Sequence, residues 1–160
     1  MSRFVRPFKL SRLILASAGL LLLLANTVMA GIIYTATLDG PTSGTASAAT
    51  GTAIFTLNAA ATEVSYVVEV TGLEGVEVGA HIHNGGPGAL GPRLHTFLFG
   101  SPKVGTWAVG EFEVNELNDG RVYINVHTDL YPGGEIRGDL EFTSVANEAF
   151  SWGSIKALYQ

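Results

Sequence analysis

Residues 63–70, EVSYVVEV, alternate without a break. Val64, Tyr66, Val68 and Val70 fall on one face, and Glu63, Ser65, Val67 and Glu69 on the other. A period of two with one apolar and one largely polar side specifies a half-buried antiparallel strand. Similar short segments recur along the chain. Residues 33–38, 51–57, 75–83, 95–99, 106–114, 121–128 and 135–143 are each rich in strand formers or apolar residues. Turn chemistry separates them: the short segment 58–62, the Asn118-Asp119-Gly120 triplet and Tyr131-Pro132-Gly133-Gly134. In the strand expected at 75–83, Val76, Val78, Ala80 and Ile82 share one face. The polar stretch 39–50 and the Gly-rich stretch 84–92 (NGGPGALGP) read as loops. No long segment of period 3.6 and no internal repeat is present. The pattern predicts an all-β domain of about seven to eight antiparallel strands, a Greek-key sandwich or barrel.

Residues 1–30 follow a different pattern. Arg3, Arg6, Lys9 and Arg12 form a positive start, and residues 13–25 (LILASAGLLLLLA) form an apolar run. Val28-Met29-Ala30 then suits a cut after Ala30. This is the layout of a secretory signal peptide, a short apolar helix removed on export. The alternative, a retained membrane anchor, needs about 20 apolar residues, and this run is shorter. No Arg-Arg pair suggests a twin-arginine route, and no cysteine is present to carry a lipid. The expected division is a signal peptide at 1–30, a β-domain at 31–145 and a tail at 146–160. The expected location is secreted, periplasmic or extracellular, with no membrane span after cleavage. The tail, with Trp152, Ile155, Leu158 and Tyr159, is read as a terminal cap; a sorting or attachment role is the alternative.

The chain has no cysteine, which excludes a disulfide scaffold, a thiolate metal site and a cysteine nucleophile. Beyond residue 30, five basic residues stand against fourteen acidic ones, a net charge of −9. Such a domain offers no basic surface for nucleic acid. No Gly-x-Ser-x-Gly elbow and no phosphate-binding loop is present.

Four histidines remain: His81, His83, His95 and His127. His81 and His83 form a His-x-His pair on an expected strand. Their side chains point to one face, about 6.6 Å apart along the strand. Two imidazoles so placed can converge on one ion at about 2.0–2.1 Å each. His127 ends a later strand, with Asn125 on the same face, and His95 lies just past the Gly-rich loop. A β-sandwich could bring three or four of these rings to one end. Imidazole-only sites suit copper or zinc, with Cu(II) favoured by the affinity order. The competing reading is structural histidines held by carbonyls or by Glu77, Asp129 or Glu135. Glu135 and Arg137 share a strand face and could pair with each other or across strands; a structural ion pair is expected, and an anion-binding or catalytic Arg137 is the alternative.

The blocks His81-Ile82-His83, Tyr123-Ile124-Asn125-Val126-His127-Thr128 and Pro132-Gly133-Gly134-Glu135-Ile136-Arg137-Gly138 resemble those of CHRD (chordin-type) domains. So do Tyr34-Thr35-Ala36-Thr37-Leu38-Asp39-Gly40, Gly51-Thr52-Ala53-Ile54-Phe55 and the stretch from Val64 to Leu73. The resemblance covers about residues 33–142. One departure is the loop at 41–50, where members often carry a Glu-Val-Pro-Pro-like segment. The resemblance implies an extracellular immunoglobulin-like β-sandwich acting as a binding or structural module. The order of the histidines is also similar to the copper site of copper-zinc superoxide dismutase, another Greek-key sandwich. Here the disulfide and the zinc-site residues of that enzyme are missing.

Together these readings predict a secreted CHRD-type module. A mononuclear copper or zinc site is expected at His81, His83 and His127, with His95 as a candidate fourth ligand. The expected partner is an extracellular protein or matrix component. Two alternatives stand beside it: a copper-dependent oxidoreductase of the superoxide-dismutase type, and a metal-free protein-binding domain.

Overall fold

The structure, a computed structural model, describes residues 31–145. The leader expected at residues 1–30 and the tail expected at 146–160 lie outside the described residues. The order is β1 (Ile32–Asp39), α1 (Gly40–Ser43), β2 (Thr50–Leu57), β3 (Glu63–Thr71), β4 (Glu77–Asn84) and β5 (Arg93–Thr96), then β6 (Lys103–Ala108), α2 (Glu111–Asn118), β7 (Val122–Thr128), β8 (Ile136–Asp139) and β9 (Glu141–Val145).

The all-β expectation holds. Neighbouring strands run β5-β4-β7-β8-β1-β2-β3-β6, and every pairing is antiparallel. The two halves of this path meet at β1. Strand β8 pairs in register with β1 at Asp39↔Arg137, and β9 then continues along the same edge, Tyr34 opposite Phe142. The stretch 135–143, expected as one strand, is therefore two, broken at the buried Leu140. The two sheets come close at this seam. A Cβ on Gly138 would lie 2.6 Å from the Thr37 carbonyl oxygen, so only glycine fits there.

The sheet folds over so that its inner faces meet. Phe55 and Tyr66 stack at 5.6 Å between ring centres, and Phe97 meets Tyr66 edge-on at 4.9 Å. Tyr34, Leu38, Leu57, Val64, Ile82, Ile124 and Ile136 complete a fully buried core. An ion pair links the two halves away from the seam. Lys103, buried on β6, pairs with Glu77 on β4 at 2.5 Å. With no cysteine to staple it, the fold rests on this packing.

Four local expectations are corrected. Residues 106–114 are not one strand: β6 ends at Ala108 and α2 begins at Glu111. The Glu113 carboxylate accepts from the Gly110 N–H at 2.9 Å, and acids in the first turn suit the helix dipole. Asn118-Asp119-Gly120 closes this helix rather than a hairpin, with Gly120 at φ 66°. Loop 39–50 holds the short helix α1, capped by Asp39, whose side chain accepts from the Thr42 N–H at 2.6 Å. In β4, the register against β7 slips between Glu77 and Gly79. Ala80 and Ile82 face the core as expected, but the bulge turns Val76 and Val78 out to solvent.

Candidate metal centre

Strands β4 and β7 lie side by side, with Gly79 opposite His127, His81 opposite Asn125, and His83 opposite Tyr123. Opposed residues share a face, so His81, His83, Tyr123, Asn125 and His127 all sit on the outer side, away from Ile82 and Ile124. One ring nitrogen from each of His81, His83 and His127 lies within 4.8 Å of the others. A tetrahedral ion with bonds of 2.0–2.1 Å spaces its ligands about 3.4 Å apart, so small side-chain rotations would suffice.

This outer face is covered rather than wet. The Gly-rich loop after β4 folds back over His83, and the β7–β8 turn folds over His127. The His83 Nδ1–H donates to the Gly91 carbonyl at 2.9 Å, and the His127 Nδ1–H donates to the Pro132 carbonyl at 3.0 Å. A carbonyl can only accept, so both Nδ1 atoms carry a proton, and in the neutral rings both Nε2 atoms carry a bare lone pair. Both Nε2 atoms are buried without a hydrogen-bond partner. Among the described residues, one further buried side-chain atom shares that condition, the Oδ1 of Asn125. Backbone carbonyls that hold the distal nitrogens of metal-binding histidines fix both tautomer and ring direction.

Burial favours the uncharged form of two of the three rings. Burial pushes the His81 pKa down to about 4, helped by the positive charges that His127, Arg93 and His83 would set beside it. Burial also lowers His127, against the partial support of its Pro132 hydrogen bond. Neutral imidazoles are the form that ligates a metal.

Tyr123 and Arg137 make the back wall. His83 stacks on Tyr123 at 5.1 Å, and the Arg137 guanidinium lies 3.5 Å over the same ring. Arg137 donates to the carbonyls of Gly86 (2.9 Å) and Ala89 (2.7 Å) and pairs with Asp139 at 2.7 Å. It ties down the Gly-rich loop that holds His83. The expected Glu135–Arg137 pairing is thus absent. Glu135 points elsewhere and is fully buried, accepting from the Ser47 and Thr128 hydroxyls and from the N–H groups of Glu74 and Gly75.

His95 does not join the trio. It pairs with Ile82 across β4 and β5 and so faces inward. There its Nε2 lies 3.3 Å from the Tyr66 hydroxyl, between Phe97 and Trp107, and burial lowers its pKa. The shared face of Tyr123, Asn125 and His127 was open to reading from alternation. The roles of the Gly91 and Pro132 carbonyls were not, because any residue offers a carbonyl. The grooves on the other half, one lined by Thr37, Thr52, Glu69 and Ser101, contain no histidine.

A CHRD domain family model matches residues 34–140, about two thirds of the chain. The chain belongs to the CHRD family. No curated protein and no solved structure matches it. The matched region takes in the whole histidine trio and both covering loops. CHRD domains are typically extracellular binding or structural modules. Among the described residues, no helix is long and apolar enough to cross a membrane.

Proposed function

We propose that this CHRD domain is a secreted binding module that holds one copper or zinc ion through His81, His83 and His127. The observation that carries the reading is the pair of buried, partnerless Nε2 lone pairs of His83 and His127, converging with His81. A buried acceptor without a donor costs about 1–3 kcal/mol. Two such atoms side by side, each aimed by a carbonyl behind its ring, are poorly explained as core packing. An ion accepts both lone pairs at once. The all-imidazole set favours Cu(II) over Zn(II), with availability deciding occupancy. A bound ion would supply a Lewis-acidic centre, redox-active if copper, and three ligands leave it a further coordination position.

The test is metal content and Cu(II) titration of the chain from Gly31 onward, made without a polyhistidine tag. One tightly held ion per chain, lost in a His81→Ala, His83→Ala double variant, is the expected result. Equal weak binding by both proteins would overturn the metal reading and leave a protein- or matrix-binding domain with structural histidines. Superoxide turnover by the copper-loaded chain would make the module an oxidoreductase.

A further inference from the structure

Strand β5 flanks the histidine half and carries a register shift. His81 faces Thr96 and Ile82 faces His95, yet His83 faces Arg93 rather than Leu94. In a regular ladder Leu94 would stand opposite His83, and Arg93 would turn to the inner side. The extra residue re-aims the strand, as bulges do beside functional sites. Leu94 packs against the core instead, and Arg93 stands exposed on the histidine face.

The charge of Arg93 is unspent. Among the described residues, Lys103, Arg121 and Arg137 each form an ion pair, and Arg93 forms none. Its backbone partner across the strand pair is His83 itself. On the outer face Asp139 stands opposite Tyr123, and Arg137 already holds it. Among the described residues, the one cation outside an ion pair therefore stands beside the histidines, in a chain that carries a net −9 beyond residue 30. Three neutral imidazoles would leave the double charge of an ion uncompensated and a coordination position open.

We propose that the open position of this centre is a binding site for a small monoanion, with Arg93 as the guanidinium that attracts and hydrogen-bonds it. The inference rests on the metal reading and names the ligand class of that same site. A guanidinium suits the task because its fork of donors matches a flat or linear anion and stays charged at any working pH.

The experiment loads each protein with Cu(II), measures copper content first, and then titrates azide while following the copper absorption and electron paramagnetic resonance spectra. Azide is expected to change both spectra of the wild-type protein. Arg93→Gln should weaken azide binding about tenfold, with Arg93→Lys in between. Added salt should weaken azide binding more in the wild type than in Arg93→Gln. Arg121→Gln, which removes a cation at the end of α2, should leave azide binding unchanged. Displacement of azide by acetate would assign carboxylates as ligands; acetate without effect would assign inorganic anions. Copper bound with silent spectra, or equal azide affinity in Arg93→Gln, would overturn the anion site and leave the metal centre standing. No copper bound would overturn both.

Discussion

Strands β3 and β7 both alternate, and both turn an apolar face to the same core, but their outer faces differ. On β3 the outward Glu63, Ser65, Val67 and Glu69 are exposed. On β7 the outward Tyr123 and Asn125 are buried and His127 is half-buried, under the Gly-rich loop and the Tyr-Pro-Gly-Gly turn. The first strand has a dry side and a wet side. The second has two dry sides, and polar groups occupy one of them. Alternation tells which residues face the core; it does not tell whether the other side meets water. Where loops return over a sheet, every polar group beneath them must find a partner. Glu135 and Arg137 find theirs in loop backbone or hydroxyls, and the Asn125 amide N–H finds the Gly133 carbonyl while its Oδ1 stays unpaired beside the histidines. The Nε2 atoms of His83 and His127 find no partner either, and those exceptions mark the site.

If the covered half is held by buried polar groups, the largest effect should come from Glu135. Glu135→Ala strands two hydroxyls and two N–H groups, and should cost about 4 kcal/mol in urea denaturation. A loss below about 1 kcal/mol would mean that solvent already reaches the site. The same carboxyl sets a pH dependence. Burial alone would raise its pKa, but the four hydrogen bonds outweigh that and hold it below the ordinary 4.5. Its stabilisation is complete above 4.5 and is lost as pH falls through the depressed folded value. The stability gap between wild type and Glu135→Gln should therefore narrow on acidification below pH 4.5.

Next in size is His83→Ala. Cu(II) affinity should fall at least about a hundredfold, beyond what loss of a supporting residue produces. The metal-free protein should lose under about 1 kcal/mol, because one partnerless atom disappears with the ring. A large stability loss with unchanged copper binding would reverse the assignment and make His83 a structural residue. Arg137→Ala comes third. It frees the Gly86 and Ala89 carbonyls and loosens the loop behind His83, so calorimetric titration should show copper affinity down about tenfold. Equal affinity would show that the loop holds His83 without its anchor. The smallest change belongs to the wet half. Ile54→Thr, at a side chain 55% exposed, should shift stability by less than about 0.5 kcal/mol and leave copper binding alone.

The sequence carried the architecture well where one face is wet, as in β3, and where turn residues are unambiguous, as at Tyr131 to Gly134. It misled at 106–114, because Glu111-Phe112-Glu113-Val114 alternates as a strand would; the cap made by Glu113 and burial of Leu117 decide for helix. The trio was legible because a His-x-His pair and a third strand histidine keep their faces under the period of two. His95 was not, because its side depends on how the Gly-rich loop returns β5 against β4 and on the bulge at Arg93. Glu135 and Arg137 were noticed as a pair but bind separate partners; strands β7 and β8 bring in loops far away in sequence.

The seam at β1 has a consequence for biogenesis. The first described strand takes one partner from β2 and the other from β8 and β9, roughly a hundred residues later. A growing polypeptide that has presented everything through β7 still has an unpaired edge along Ile32 to Asp39. Long-range closure of this kind is slow and comes late. Such a chain stays pliable until its last strands are free, which is the state a protein needs while it is threaded across a membrane. The histidine face, built from β4, β7 and the loops that β8 anchors, is among the last parts to be completed.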